Sequence, residues 1–167
     1  ILPSLSKVRE ITLLRKRLVH RFGYLPWLIL RLDNQLLYDS IEEILPHIDG
    51  VMISRRDLSL SMNPVKVPIV CKEVTQLCHK NAKIVIIASD MLASMAHKIT
   101  PTRAEVSDLA NAVIDGTDAV VLSEEITDAK FYHKALKVCK NVITQVEEDE
   151  SIRMNWVAPK YRILTEL

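Results

Sequence analysis

Charged and hydroxyl side chains follow each of four short apolar runs in this sequence. Arg31 and Asp33 end the first run, Asp57 follows the second, Ser89 ends the third and Ser123 ends the fourth. Two carboxylates at neighbouring strand ends are ligands of the type that Mg²⁺ takes, because this ion binds one or two protein carboxylates and completes its shell with water and substrate. The other interpretation of Asp33 and Asp57 is that they are solvated acids near strand ends or helix starts.

The histidines and cysteines of the sequence give little support for a metal site, a nucleophile or a disulfide. The five histidines include no pair at helical metal-ligand spacing, and none lies in a recognisable nucleophile motif. Cys71, Cys78 and Cys139 are odd in number, and the first two lie seven residues apart on one expected helix face, which favours core packing over a disulfide or metal site.

The charge and hydropathy of the chain limit the kinds of partner that we expect for it. A net charge of +1 provides no global field that would attract nucleic acid or an anionic membrane. No apolar run has the length of a membrane span, and the amino terminus lacks the layout of a secretory signal. We therefore expect a cytoplasmic protein with neither nucleic acid nor a membrane as its partner.

Strand and helix patterns alternate along the chain. Short apolar runs, the pattern of parallel strands buried on both faces, occupy residues 26–33, 50–54, 83–89 and 117–123. Apolar residues at the 3.6-residue period predict helices at 64–80 and 102–115, and further helices are expected at about 5–22 and 130–148. This order predicts an α/β fold of four βα units whose right-handed crossovers build a parallel sheet.

Two pairs of residues have the spacing of a capping box, in which a side chain at the start of a helix and a glutamate three positions on satisfy each other's backbone N–H groups. Thr102 with Glu105 predicts the start of one helix, and Ser40 with Glu43 predicts the start of a shorter one.

The chain contains three glycines, where an average usage of about 7% would give roughly a dozen. Gly23, Gly50 and Gly116 all lie where a helix is expected to lead into a strand. We expect each to supply the left-handed conformation that ends a helix without Cβ strain. Structural glycines would then remain in the chain while glycines that bring backbone close to a ligand are missing.

Four segments carry a resemblance to a known family. They are PTRAEVSDLANAVIDGTDAVVLSEE at 101–125, RLDN at 31–34, DGVMISRRDLSL at 49–60 and IIASDMLASM at 86–95. In this order and spacing they resemble the strand ends in the second half of the pyruvate kinase barrel. The resemblance covers roughly residues 4–148. It implies the second half of a TIM-type (β/α)₈ barrel at 1–150, four βα units plus a leading helix, followed by a carboxy-terminal tail at 151–167.

The resemblance implies an altered metal site. In the family a lysine at the fifth strand end stabilises the enolate of pyruvate, while a glutamate two residues on and a later aspartate hold a divalent cation. Arg31 stands at the lysine position, and Asp33 and Asp57 stand at the metal positions. Arginine keeps the charge, but its planar fork is larger and differently placed, and Asp33 is one methylene shorter than glutamate. Mg²⁺ is therefore expected to be weakly held or lost.

The substrate-binding turn is altered as well. The family's Ala-Arg-Gly-Asp turn, whose backbone N–H groups face the substrate carboxylate, reads Ser54-Arg55-Arg56-Asp57 here. The resemblance implies that Arg55, Arg56, Asp57 and Ser89 lie beside the substrate. We expect the side chain of Arg56 to fill the space in which main chain once received the carboxylate.

The catalytic set implied by the resemblance is degenerate. Ser89 replaces a threonine and keeps its hydroxyl, whereas Arg31 replaces the lysine. At the eighth strand the family's Ser-Gly-Glu-Thr reads Ser-Glu-Glu-Ile, so that Ser123 and Glu125 are retained.

Half of the family's site has no counterpart in the sequence. No residue matches those that grip the nucleotide phosphates and the monovalent cation, so we expect neither K⁺ binding nor ATP formation by this chain alone. A four-stranded sheet cut from a barrel also leaves the strands near residues 26 and 117 as open edges. We expect a partner chain, a second copy or a missing part of the same precursor to cover them.

Three functions stay open at this point. The first is a diverged, catalytically impaired module with a structural or interaction role, because capping and core signals persist while substrate-facing positions change. The alternative is a segment of an active pyruvate kinase that transfers phosphate from phosphoenolpyruvate to ADP with magnesium. The third is a regulatory pairing with an active pyruvate kinase, through the helix on which Arg103 stands at a subunit-contact position of the family.

Overall fold

A computed structural model of the chain describes residues 7–126 and 130–149. The helices are α1 (Val8–Phe22), α2 (Gln35–Asp39), α3 (Ile41–Ile44), α4 (Arg55–Ser61), α5 (Val67–Lys80), α6 (Arg103–Ile114) and α7 (Tyr132–Glu148). The strands are β1 (Ile29–Leu32), β2 (Gly50–Ser54), β3 (Ile84–Met91) and β4 (Ala119–Leu122). Short 3₁₀ turns are present at Leu45–His47, Pro64–Lys66, Ala93–Ala96 and Glu124–Ile126. The predicted tail at 151–167 lies outside the described residues.

The strands form one sheet in the order β1-β2-β3-β4. β2 pairs in parallel with both neighbours, so that Gly50 lies beside Ile29 on one side and Ile84 on the other. Helices follow the strands in the predicted alternation, which confirms the α/β class. β1 and β4 lie at the two edges of the sheet, as the sequence indicated for the strands near residues 26 and 117.

The described chain divides into two compact units. The first comprises residues 7–89 and 118–121, and the second comprises 90–117, 122–126 and 130–149. The core of the first unit includes the fully buried Ile11, Leu30, Leu32, Ile44, Ile53 and Leu58. The core of the second includes Met91, Met95, Leu109, Val113, Ala135 and Val146.

Burial differs between the central and the edge strands. β2 is buried along nearly its whole length, as its continuous apolar run predicted. Along β4, exposed and half-buried residues alternate, and Val121 keeps 44% of its surface in contact with solvent. The prediction of strands buried on both faces is therefore wrong for β4, because an edge strand of this chain has fewer neighbours to cover it.

A charged cluster joins α1 to the amino end of β1. Arg15 Nε donates to the carbonyl oxygen of His47 at 2.8 Å, and its Nη2 donates to Asp49 Oδ2 at 3.0 Å. The same carboxylate oxygen accepts the backbone N–H of Leu28 at 2.7 Å. Asp49 therefore satisfies a backbone donor just before the edge strand begins and holds the leading helix at the same time.

One of the two predicted capping boxes is confirmed. Thr102 Oγ1 accepts the N–H of Glu105, and the Glu105 carboxylate accepts the N–H of Thr102. Ser40 is the N-cap residue of α3, which confirms the predicted start of that helix, but its side chain makes no capping hydrogen bond, so the predicted capping box is not formed. Ser40 also ends α2, and its φ of −104° and ψ of 4° depart from the extended conformation that directs a capping hydroxyl at the first turn.

The glycines play two different roles. Gly23 and Gly116 have φ values of 74° and 92°, which confirms that they follow helices in the left-handed region. Gly50 is part of β2, so the prediction that it ends a helix is wrong. A Cβ atom at Gly50 would lie 2.7 Å from the carbonyl oxygen of Ile84 and 2.9 Å from Ile29 Cδ1. Glycine is needed there because the neighbouring strand approaches closely.

A third helix end with a left-handed residue, after α5, is occupied by alanine. Ala82 has a φ of 52°. Its N–H donates to the carbonyl oxygen of His79, and the N–H of Lys83 donates to the carbonyl oxygen of Cys78. These two bonds are those of a Schellman motif, in which glycine is the usual residue.

Replacing Ala82 with glycine should stabilise the protein. Ala82 is exposed, so its methyl group contributes little packing, while its left-handed backbone costs roughly 1–2 kcal/mol relative to glycine. Part of that gain is offset by the greater freedom of glycine in the unfolded chain, and we expect a net gain of about 0.5–1 kcal/mol by urea unfolding.

Gly23→Ala is the reciprocal control for this prediction. Gly23 also has a left-handed φ, and a Cβ atom there would meet nothing within 4 Å. This variant should lose about 1 kcal/mol. Changes of the same sign in both variants would contradict the backbone explanation.

The cysteines confirm the predicted packing role in part. Cys78 and Cys139 are buried thiols, and burial raises the pKa of Cys78 to about 12. Cys71 is half-buried on α5.

Within the described residues, no helix combines the length and the apolar character needed to cross a membrane.

Candidate functional site

The carboxyl ends of β1 and β2 bring three predicted site residues together in the first unit. Arg31 belongs to β1, Asp33 follows that strand directly, and Asp57 lies in the first turn of α4, immediately after β2. Arg31 Nη2 donates to Asp57 Oδ2, and Arg31 Nε lies 3.7 Å from Asp33 Oδ2. One guanidinium group therefore lies between the two carboxylates that the resemblance assigns to a metal ion.

Ser54 links this ion pair to the end of β3. Its buried hydroxyl group donates to Asp57 Oδ2 at 2.6 Å and lies 3.2 Å from the hydroxyl oxygen of Ser89. Arg55 Nη2 donates to the carbonyl oxygen of Ser89 at 2.8 Å. The structure thus brings Arg31, Asp57, Arg55 and Ser89 into one hydrogen-bonded network.

The network favours the ionised form of its carboxylate. The hydrogen bond from Ser54, followed by the one from Arg31, lowers the pKa of Asp57, and the nearby charge of Arg56 acts in the same direction. The bond to Asp57 also raises the pKa of Arg31. Both side chains keep about a third or more of their surface in solvent, which screens the interaction.

These contacts do not fit a magnesium ion held by both aspartates. Asp57 Oδ2 already accepts two hydrogen bonds, and Asp33 Oδ1 accepts one from Asn34 Nδ2 at 2.7 Å. Mg²⁺ needs near-octahedral oxygen ligands at about 2.1 Å, and a guanidinium between the ligands would repel it. Among the residues that the structure describes, no group of three or more His, Cys, Asp and Glu side chains could hold a metal ion.

Arg56 lies differently from Arg31. It is exposed on the first turn of α4, whereas the charged group that donates to Asp57 comes from β1. The prediction that Arg56 fills the space of the substrate carboxylate is not tested by these contacts and stays a prediction.

The last residues of β2 and β3 have features that the sequence did not reveal. Ser89 and Asp90 both have positive φ values, 78° and 60°, although neither is glycine. Such conformations cost of order 1–3 kcal/mol each and cluster at functional sites. Ser54, which bridges Asp57 and Ser89, was also missed. The sequence feature that could have identified Ser54 is a hydroxyl residue at the end of an apolar strand, at a position where the family that the motifs resemble has alanine.

The second unit contains the remaining predicted site residues. Ser123 is buried directly after β4, its N–H donates to the carbonyl oxygen of Met91 at 3.0 Å, and its hydroxyl donates to the Glu125 carboxylate. Arg103 is exposed at the first position of α6. Ser123 and Glu125 are therefore in contact with each other, while Arg103 lies on a surface of its unit.

Glu105 is a positioning residue in the second unit. Its carboxylate accepts hydrogen bonds from the N–H and hydroxyl groups of both Ser94 and Thr102. Burial alone would raise the pKa of Glu105, but these bonds, led by those from Ser94, outweigh it and lower the pKa to about 2. Glu105 therefore stays charged and joins the turn after β3 to the start of α6.

Comparisons with known proteins agree with the motifs. A sequence model of the pyruvate kinase barrel domain matches residues 6–136. Pyruvate kinase of Staphylococcus aureus strain MRSA252 is 44% identical over 117 residues, which cover 70% of this chain and 20% of that relative. The pyruvate kinases of Staphylococcus haemolyticus and Staphylococcus epidermidis are 44% and 43% identical over the same shares. The chain spans about a fifth of the length of these curated relatives.

Proposed function

The chain belongs to the pyruvate kinase family, as a segment of its barrel domain, and on this premise we propose that its phosphoryl-transfer site is impaired. Its proposed role is that of a structural or interaction module. The observation that carries the proposal is the ion pair between Arg31 and Asp57, with Asp33 at the other side of the guanidinium group.

The ion pair matters because phosphoryl transfer depends almost entirely on positioning and on neutralising phosphate charge. In this chain the positive charge of Arg31 is directed at Asp57, and the acidic groups are neutralised by a neighbouring side chain. A substrate phosphate would have to separate these partners before it could use either one. The described strands also provide only part of a barrel.

An interaction role is supported by the edges of the sheet. β1 and β4 each have a strand on one side only among the described residues. In the segment just before β1, Tyr24 and Trp27 keep 65% and 72% of their surface exposed. Exposed Tyr and Trp are favoured anchors of protein interfaces, and unpaired strand edges promote association. A protein partner that completes the sheet would cover both features.

The alternative is a segment of an active pyruvate kinase that uses magnesium to transfer phosphate from phosphoenolpyruvate to ADP. The identity of 44% to relatives named pyruvate kinase favours it. The hydroxyl of Ser89, close to that of Ser54, is a further point in its favour. On this view the missing strands are supplied by other polypeptide, and Arg31 moves away from Asp57 when substrate binds.

A coupled assay of ATP formation from phosphoenolpyruvate and ADP separates the two functions. We expect the purified chain to give no rate above background with magnesium and potassium present, because Arg31 and Asp57 are paired with each other and the described strands form only part of a barrel. The informative variant is Asp57→Ala, and the matched control is Asp39→Ala, which removes an exposed acid from α2. A rate that disappears in Asp57→Ala and persists in Asp39→Ala would overturn the proposal.

Sedimentation equilibrium tests the interaction role separately. We expect the chain to self-associate or to bind a complementary polypeptide that carries the remaining barrel strands. A folded chain that stays monomeric and binds no such polypeptide would contradict this part of the proposal.

A further inference from the structure

We propose that Arg31 acts as a built-in cation, which takes the place of a divalent metal ion between Asp33 and Asp57 and makes this site metal-free. The inference deepens the proposed function and rests on it, because it concerns the same strand ends. Arg31 is the residue that keeps the ion out. A single substitution of Arg31 should therefore allow a divalent ion to bind between Asp33 and Asp57.

The contacts of Arg31 support a bridging role. Its Nη2 bonds Asp57, and its Nε is buried with no hydrogen-bond partner of its own but lies 3.7 Å from Asp33. Two nitrogen atoms of one planar group thus face two carboxylates on adjacent chain segments. Ser54 holds Asp57 in this position with a bond of 2.6 Å.

The charges explain why the guanidinium and a metal ion exclude each other. Two carboxylates carry two negative charges, and a guanidinium already neutralises part of them without losing its own proton. A dication added within a few ångströms of this fixed positive charge would be repelled strongly at the dielectric of a half-buried site. Mg²⁺ also sheds its water reluctantly and would have to displace the hydrogen bonds that Asp57 accepts.

The shape of arginine is as important as its charge. The guanidinium fork presents donors in two directions, so that one side chain can approach two acids, whereas the ammonium group of lysine is a compact point charge. Arg31→Lys should therefore contact at most one carboxylate well. Arg31→Gln should remove the positive charge and keep much of the side chain's length.

A titration with Mn²⁺ tests this inference. Binding is measured as the decrease in the electron paramagnetic resonance signal of free Mn²⁺. Mn²⁺ serves as a probe that accepts the same oxygen ligands as Mg²⁺. We expect the unaltered chain to leave the signal unchanged and Arg31→Gln to bind at least about tenfold more tightly. Arg31→Lys should show a smaller gain, and it keeps the test informative if Arg31→Gln does not fold by circular dichroism.

Arg56→Gln is the matched control. Arg56 also lowers the pKa of Asp57 through its charge, but it is exposed on α4 and is not the residue that bridges the two acids. Removing its charge should therefore leave Mn²⁺ binding nearly unchanged. A gain equal to that of Arg31→Gln would show a general field effect and overturn the inference.

Three further results would also overturn it. The first is Mn²⁺ binding by the unaltered chain that is as tight as binding by Arg31→Gln. The second is binding by Arg31→Gln that survives the addition of Asp57→Asn, since the ion would then lie elsewhere. The third is the absence of any gain in Mn²⁺ affinity in folded Arg31→Gln and Arg31→Lys. These readouts do not depend on catalysis, so a failed inference about the metal and a failed proposal about activity give different results.

Discussion

Gly50→Ala should destabilise this protein by about 3 kcal/mol, although it adds a single methyl group. The added Cβ atom would lie 2.7 Å from the carbonyl oxygen of Ile84, 2.9 Å from Ile29 Cδ1 and 3.0 Å from Ile84 Cβ. Contacts below 3.0 Å require movement, and the nearest atom belongs to the backbone of β3. Because β2 pairs with strands on both sides, the clash must shift a ladder of hydrogen bonds. Urea unfolding followed by circular dichroism measures the loss.

Gly23→Ala separates this clash from the general effect of replacing glycine. Both variants make the same chemical change, but a Cβ atom at Gly23 meets nothing within 4 Å. Gly23→Ala should therefore lose only the backbone cost of its left-handed conformation, about 1 kcal/mol. Equal losses in the two variants would mean that the close approach of the strands at Gly50 has no energetic consequence.

The sequence predicted the order of elements well because their signals are local. The apolar run of β2, the capping box of Thr102 and Glu105 and the glycine after α6 each involve a few neighbouring residues. The predictions failed where partners distant in the sequence decide the outcome. Gly50 follows a helical region just as Gly116 does, but the approach of β3, more than 30 residues later, determines its role.

For the site, too, local sequence signals gave correct predictions, and contacts between distant residues could not be predicted. Motif positions placed Arg31, Asp33 and Asp57 at neighbouring strand ends, and the structure brings them together. The direction in which a long arginine side chain extends depends on the two acids and on the hydroxyl of Ser54, which lie on different segments. Sequence alone therefore predicted a displaced cation but not its position between the carboxylates. The positive φ values at Ser89 and Asp90 had no signal, since neither residue type demands them.

The two ends of the sheet differ in what their charged residues do. At the carboxyl ends of β1 and β2, Arg31, Asp57 and Ser54 form the hydrogen-bonded network of the proposed site. At the amino ends, Asp49 and Asp118 accept backbone N–H groups of Leu28 and Val85. In barrels, residues at the carboxyl ends of strands serve catalysis and those at the amino ends serve stability. We therefore expect substitutions at the two ends to change different measurements.

Asp49→Ala should be among the most destabilising surface substitutions, with a loss of about 2–3 kcal/mol. Its carboxylate accepts the N–H of Leu28 at 2.7 Å and bonds Arg15 of α1 at 3.0 Å. The alanine variant leaves the Leu28 N–H at the start of β1 without its acceptor, and it leaves Arg15 with the carbonyl oxygen of His47 as a partner. The change in urea unfolding free energy measures the effect.

Asp49→Asn distinguishes the lost hydrogen bond from the lost charge. Its amide oxygen can still accept the N–H of Leu28, so that this variant should lose roughly half as much as Asp49→Ala, because only the charge of the pair with Arg15 disappears. Arg15→Ala added to each variant completes a double-mutant cycle. If the effect of Asp49→Ala is the same with and without Arg15, α1 is not held through this carboxylate. If Asp49→Ala unfolds no more easily than the exposed Asp39→Ala, the amino end of β1 does not depend on the acceptor at all.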